Sequence, residues 1–373
     1  MLSRGRARFC TMASQFETGV FQKFHFIEKE KVIIRDQIYG EHTITEPVLI
    51  ELLHSPELSR LKGIRQSGVT ALLGFGPKVT RLEHSVGAFL LTRKVGASVE
   101  EQIAALLHDI SHTSLSHVVD YALSNAGEES YHEVYKSRYL ETTQLPQILI
   151  RHGFSDLKAL DEEHFPLVEQ PSPHLCADRL DYSLRDSLAF GKLSLEKVRR
   201  VFDSLRAVPN SSAPNRLLVL DNPQLALALS RAYQATDRDV WSNRSHANIY
   251  RRTGRIIKEL VESGRVDERA LWTLSDVEFW SLLRRQATPQ LLSELDRLES
   301  EGLPDENELR LPRQTKIRTL DPDICLADSK TKEPVPLSVV LPEWGAERQQ
   351  YIDERESTRE EPVHHQREVW VSS

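Results

Sequence analysis

Four short stretches concentrate the side chains able to bind a metal or move protons. They are R-L-E-H at 81–84, L-L-H-D-I-S-H-T-S-L-S-H-V-V-D at 106–120, H-E at 132–133 and A-D-R-L-D-Y-S-L-R-D at 177–186. Taken singly, each has an ordinary explanation: a His-Asp pair is more often a cap or surface pair than a ligand pair, and His132-Glu133 fits a solvated turn. Together they make a different case. His84 and His108 lie in segments whose neighbours form strong apolar faces, where an imidazole loses hydration without compensation unless something occupies its other side. A metal ion is the economical compensation. Two imidazoles with two carboxylates make a mixed nitrogen and oxygen shell, suited to octahedral Mn²⁺, Fe²⁺, Ni²⁺, Co²⁺ or Mg²⁺ with water in the open positions.

The order His, His-Asp, Asp, with further histidines directly after the doublet, resembles the HD superfamily of phosphohydrolases from about residue 31 to 200. The spacing is most similar to the deoxynucleoside triphosphate triphosphohydrolases, including the vertebrate SAM-and-HD-domain enzyme. That resemblance implies His84, His108, Asp109 and Asp178 as metal ligands. It further implies that His112 touches the α-phosphate, that His117 protonates the leaving oxygen and that Asp120 orients His132. Arg81 and Arg179 are implied phosphate contacts, Arg179 standing where the family usually carries Lys. Tyr182, four residues after Asp178 and so on the same helical face, is implied to pack on the sugar, and Gln66 to sense it.

The expected function is therefore a metal-dependent nucleotide phosphohydrolase, most like one releasing triphosphate from a deoxynucleoside triphosphate. A nucleoside monophosphate phosphatase on the same site is the first alternative. A non-catalytic nucleotide- or RNA-binding module that kept the shell as a structural site is the second, and the intact His112, Asp120 and His132 weigh against it. Where the nucleotide-regulated relatives carry an acid and an Arg pair, this chain has His54-Ser55-Pro56 and Arg60-Leu61-Lys62, which argues against activation by guanine nucleotides. Asp186 with Arg185 or Arg179 fits a helix-surface ion pair equally well. The run Arg238, Arg244, Arg251, Arg252 and Arg255 reads chiefly as a solvated helix face.

These residues need a helical scaffold, and the periodicity supplies one. K-V-I-I-R-D-Q-I-Y-G-E-H-T-I-T at 31–45 alternates around Tyr39-Gly40, which predicts a β-hairpin. From Glu46 the apolar spacing turns helical, with Pro56 near a break. Leu82, Val86, Phe89 and Leu90 give a helix ending near Gly96, and Ser98 with Glu101 predicts a capped helix carrying Ile103, Leu106 and Leu107. Further helices are expected at 117–125, 130–141, 174–189, 194–206, 223–263 and 276–300. The whole reads as a mostly α protein: a flexible segment over 1–30, the hairpin over 31–45, a helical HD domain over 46–300, and a C-terminal extension over 301–373 with short strands and a loose tail.

The bulk composition sets the remaining limits. With 373 residues, of which 39% are apolar, the chain can bury a sizeable core. Its 55 acidic against 48 basic residues give a net charge of −7, so there is no strong nucleic-acid signal and any phosphate chemistry must be locally organised. Three scattered cysteines carry neither a disulfide framework nor zinc-finger spacing. No apolar run is long enough for a membrane span. A cytoplasmic or nuclear location follows, with a mitochondrial one as the alternative because Arg4, Arg6 and Arg8 precede the first acid, Glu17. The expected partner is a nucleotide or other phosphate ester, and a homo-oligomer is left open.

Overall fold

The computed structural model describes residues 14–17, 19–27, 30–124, 129–313, 315–325 and 333–360. The chain opens on an antiparallel sheet in the order β1 (Ser14–Glu17), β2 (Gln22–Ile27), β3 (Lys31–Asp36) and β4 (Gly40–Ile44). β3 and β4 are the expected hairpin, pairing Val32 with Ile44 and Asp36 with Gly40. Gly40 takes a φ of 87°, a conformation that only glycine adopts freely. The segment expected to be flexible as far as residue 30 instead contributes β1 and β2. Phe24 pairs with Ile34, and both are fully buried, so the alternation in K-F-H-F-I was a strand signal. Residues 1–13, with the arginines behind the mitochondrial alternative, lie outside the described residues.

Helices follow in the order α1 (Pro47–Leu53), α2 (Pro56–Arg60), α3 (Gly68–Leu72), α4 (Arg81–Lys94), α5 (Val99–Leu107), α6 (Val118–Leu123), α7 (Tyr131–Val134), α8 (Lys136–Leu140), α9 (Leu145–Arg151), α10 (Ala177–Ala189) and α11 (Leu195–Asp203). Strands β5 (Leu205–Val208) and β6 (Leu217–Leu220) come next. They are followed by α12 (Pro223–Thr236), α13 (Arg244–Glu262), α14 (Ala270–Thr273), α15 (Asp276–Gln286) and α16 (Pro289–Ser300). The predicted helix over 223–263 is two helices, parted by a π-helical turn at Asp237–Trp241 and restarted by the Asn243 cap. The one over 276–300 likewise breaks before Pro289, whose missing N–H suits a helix start, with Thr288 as its cap.

The C-terminal extension is not loose. β7 (Asp323–Ile324) and β8 (Val335–Pro336) complete a second sheet with β5 and β6; the expected strand in V-P-L-S-V-V-L continues as α17 (Leu337–Val340), and α18 (Pro342–Glu356) runs into the stretch expected from Glu347 to be a loose tail. Trp344 and Tyr351 anchor α18, both essentially inaccessible. Among the described residues no helix is long and apolar enough to cross a membrane.

Two apolar cores result. One gathers β2–β4, α1, α4, α5 and α10–α12 with Leu320, Ile324, Leu337 and Trp344 of the extension. The other joins α3, α6, α13, α15 and α16 through Val69, Val118, Ile256, Phe279 and Leu295. The loop from Asp109 to His117 passes from the first core, at Ile110, to the second, at Leu115. The residues singled out for chemistry lie along this crossing.

Candidate functional site

α4 starts with a capping box, Thr80 and Glu83 each accepting from the other's backbone N–H at 3.2 Å, which fixes the first turn and places His84 inward. α5 ends at His108, and Asp178 is the second residue of α10. From these three elements, four residues turn donor atoms toward one point. His84 Nε2 lies 2.9 Å from Asp178 Oδ1, 3.1 Å from His108 Nε2 and 3.6 Å from Asp109 Oδ2. His108 Nε2 lies 3.4 Å from Asp178 Oδ1 and 3.8 Å from Asp109 Oδ1.

Each imidazole is held from behind. His108 Nδ1 is 2.8 Å from the carbonyl of Ala105, which can only accept, so Nδ1 carries the proton and Nε2 faces the cluster. His84 Nδ1 is 2.9 Å from Asp181 Oδ2. Asp181 in turn accepts from the Tyr39 hydroxyl at 2.7 Å and from Arg185 Nε at 2.9 Å, and Arg185 Nη2 donates to Asp36 at 2.8 Å. Sequence reasoning missed this inner chain of Asp36, Tyr39, Asp181 and Arg185. The signal for it was the spacing of Asp178, Asp181 and Arg185 on one helix. Burial opposes a charge on His84, but the hydrogen bonds to Asp178 and Asp181 outweigh it and hold its pKa up at about 10. Burial likewise opposes the Asp109 carboxylate, and the Arg81 guanidinium overcomes it and keeps the group ionised. His84, His108 and Asp109 bring ligand atoms within 4.8 Å of one another, and Asp178 closes on both imidazoles, a mixed nitrogen and oxygen set that fits a divalent cation.

The loop after His108 is pinned by both cores. Arg60 Nη2 donates to the carbonyls of Ile110 and His112 at 2.9 and 2.8 Å, and Trp272 Nε1 donates to Ser111 O at 3.1 Å. Leu115 and Ser116 take φ of 62° and 51°, a strained conformation costing roughly 1–2 kcal/mol for each L-residue. It is held by Asp276, which accepts the Leu115 N–H at 2.7 Å and the Arg65 N–H at 2.8 Å. Gly68 lets the loop pass, since a Cβ there would stand 2.3 Å from Leu115 O.

This loop assembles a second group of imidazoles beside the first. His112 and His132 stack with ring centroids 3.6 Å apart, His117 stands edge-on to His112 at 4.9 Å, and His112 Nε2 is 3.3 Å from Asp109 Oδ1. The buried Nδ1 of His112 has no hydrogen-bond partner among the described residues. Burial, with Arg81 nearby, drives the His112 pKa well down. Burial, with His117 nearby, brings His132 to about 3, so both stay neutral at physiological pH. Asp120, expected to orient His132, instead lies 2.9 Å from His117 Nδ1 and accepts the Tyr131 N–H at 2.8 Å. His132 is buried rather than in a solvated turn.

The expected substrate contacts divide. Arg81 is in the site, but its guanidinium donates to Asp109 Oδ2 at 2.7 Å and Ser116 Oγ at 3.1 Å. Arg179 is turned away from the cluster toward the carbonyls of Gln170 and His174 at 3.0 and 2.7 Å, with Glu169 at 3.4 Å. Tyr182 is beside His84, ring centroids 6.2 Å apart, and its hydroxyl meets that of Tyr233 at 2.7 Å. Gln66 has a buried Oε1 without a partner among the described residues. Asp186 forms no surface ion pair; it is buried and accepts from Trp241 Nε1 at 2.8 Å. The arginine run divides: Arg244 pairs with Glu306, Arg251 with Glu360, and Arg252 with Glu294 and Glu301, Arg238 lies over the Tyr351 ring, and Arg255 is exposed, as expected of a solvated face.

A family model described as HD domain matches residues 81–186, the span from Arg81 to Asp186. Over 348 residues, 93% of this chain and the whole of the relative, the sequence is 57% identical to the metal-dependent phosphohydrolase cns2 of Cordyceps militaris. A shorter match, 27% identical over 155 residues, covers 35% of this chain and 25% of the deoxynucleoside triphosphate triphosphohydrolase SAMHD1 of Danio rerio. Among solved structures, a phosphohydrolase from Bacteroides thetaiotaomicron shares the fold with a TM-score of 0.56 at 20% identity, covering 74% of this chain and 77% of its own.

Proposed function

Since the chain belongs to the metal-dependent phosphohydrolases of the HD family, we propose that it hydrolyses a phosphate ester of a nucleoside at the cluster of His84, His108, Asp109 and Asp178. The observation that carries this reading is the convergence of four donor atoms with both imidazoles anchored from behind. A divalent ion held there supplies Lewis-acid polarisation of the phosphoryl oxygen and acidifies water. The chain's own residues do the rest. His112, neutral and with a free ring nitrogen, hydrogen-bonds the phosphate. His117, oriented by Asp120, delivers a proton to the leaving oxygen. His132 supports His112 by stacking, and Arg81 holds Asp109 in its ionised form.

The number of phosphates is a question of available positive charge. Three phosphates need several free cationic donors. Here Arg81 is bound to Asp109, Arg179 to loop carbonyls and Glu169, and Arg244, Arg251 and Arg252 to acids. None of these five arginines is free, which favours a monophosphate over a triphosphate. The likeness to a triphosphohydrolase, over about a third of the chain, supports the rival substrate. A panel of nucleoside mono- and triphosphates with added Mn²⁺, Fe²⁺, Co²⁺ or Mg²⁺ separates them by product, orthophosphate against tripolyphosphate. Asp109→Ala and His108→Ala are expected to lose bound metal and activity together; stoichiometric metal in both variants would refute the site.

A further inference from the structure

The segment Thr315–Cys325 of the C-terminal extension is fastened at several points along its length. Thr315 Oγ1 lies 3.4 Å from the Tyr121 hydroxyl, on the residue after Asp120. The Arg318 N–H donates to Asp237 at 3.1 Å, Asp321 N–H donates to Pro173 O at 3.1 Å, and Asp323 lies 2.7 Å from His174, just before Asp178. The segment thus runs from the helix bearing Asp120 to the loop leading into Asp178. Arg318 stands in the middle of it.

The Arg318 guanidinium lies 5.9 Å from the centroid of Trp241, Trp241 lies 5.2 Å from Tyr182, and Tyr182 lies 6.2 Å from His84. Two aromatic rings therefore separate it from the metal cluster. The aromatic surroundings are continuous: Tyr121, reached by Thr315 of the same segment, lies 5.8 Å from Tyr250 ring to ring, and Trp241 lies 4.8 Å from Tyr233. Unlike Arg81, which donates to Asp109 at 2.7 Å, Arg318 is incompletely matched. Its acidic neighbour, Asp237 Oδ1, is 3.9 Å away, its Nη1 reaches Lys316 O at a long 3.4 Å, and the side chain remains 29% exposed. Tyr121, Tyr182, Trp241 and Tyr250 around it are likewise partly exposed.

We infer that Arg318, with Trp241 and Tyr182, is the base-recognition wall of this site: the two rings, in edge-to-face contact with each other, offer one aromatic surface to a purine or pyrimidine, and the guanidinium donates to the acceptor edge of that base. The inference rests on the nucleotide reading above. Its geometry follows the order of parts in a nucleotide. With the phosphate at the His and Asp cluster, the sugar falls beside Tyr182 and the base one ring further out, where Trp241 and Arg318 stand. A planar guanidinium next to aromatic faces suits a flat heterocycle with ring nitrogen and carbonyl acceptors.

The test compares nucleoside monophosphates with phenyl phosphate, which has a ring but no acceptor edge, in the metal-loaded full chain. Arg318→Ala is expected to raise KM for the nucleotides at least tenfold. The ratio of kcat/KM for nucleotide over phenyl phosphate should fall by at least the same factor, and Arg318→Lys should restore less than a third of it. Arg318→Gln keeps the side-chain stem and serves where the alanine variant melts early. Quenching of tryptophan fluorescence by adenosine monophosphate, read in wild type and in Trp241→Phe, reports binding directly and should be lost in the variant. An unchanged ratio overturns the inference, as does a loss that grows with the number of phosphates and is the same for every base. A wild-type chain that hydrolyses phenyl phosphate and no nucleotide overturns the nucleotide reading itself, and does so without any variant.

Discussion

At the scale of single residues, the side chains that orient the ligands matter as much as the ligands. Asp181 touches no reacting atom in the proposed mechanism, yet it fixes His84 through Nδ1 and is itself held by Tyr39 and Arg185. Asp181→Asn preserves volume while removing the charge that selects the His84 tautomer. Metal affinity is expected to fall about 10- to 100-fold, read by titration calorimetry with Mn²⁺. The companion prediction concerns His246, buried in α13 away from the cluster, whose pKa burial lowers to about 4 against the nearby charge of Glu306. A base with a depressed folded-state pKa is protonated first in the unfolded chain. Its contribution to stability is therefore complete above about 6.5 and is lost as the pH falls toward 4. Replacing it by Gln is expected to remove about 1–3 kcal/mol of acid sensitivity across that window, read by urea titrations at several pH values. Parallel curves for the two proteins would show that His246 does not titrate this way.

At the scale of elements, the decisive contact is the crossing of α4 and α10, which brings His84 to Asp178 and Asp181. Gly87 makes the approach possible: a Cβ there would stand 1.7 Å from Asp181 Oδ1 and 2.5 Å from Arg185 Nη2. Two effects compete in Gly87→Ala. Alanine in a helix gains up to about 1 kcal/mol over glycine, whereas overpacking a filled, charged interior costs typically about 1–3 kcal/mol. The second should win, because Asp181 and Arg185 are held on every side and have no room to yield. The expected outcome is a lower melting temperature with weaker metal binding, by calorimetry and metal titration. A variant more stable than wild type would mean the helices separate without harm. The same logic explains the broken helices: Asp237 accepts from Ser242, Tyr351 and the Arg318 N–H, so the turn between α12 and α13 is tied to the extension.

At the scale of the molecule, the division at residue 300 does not correspond to a separable unit. Leu320, Ile324, Leu337 and Trp344 lie in the first core, and β7 pairs with β6 through Ile324 and Leu220. A chain ending at residue 300 is therefore expected to lose cooperative unfolding, seen as a missing thermal transition in near-ultraviolet circular dichroism; a sharp, native-like melt would make the extension an accessory. The helical periodicity, the capped start of α5 and the β3–β4 hairpin were legible in the sequence, as were the residue types of the metal cluster, while the set His84, His108, Asp109 and Asp178 came from the resemblance to the HD family. Each depends on spacing within a few turns or on side-chain chemistry that only a small set of residues provides. β1 and β2 were legible too, in an alternation weaker than its flanking charges. What tertiary structure alone decided is which partners met: Asp120 with His117, Arg179 with its own loop, Arg60 with the carbonyls of Ile110 and His112. It also decided that Tyr39 reaches Asp181 across 142 positions and that Arg318 arrives beside Trp241. An arginine's type fixes its charge and its five donors, but whether that charge is already matched depends on residues brought near it by packing, which no local spacing encodes.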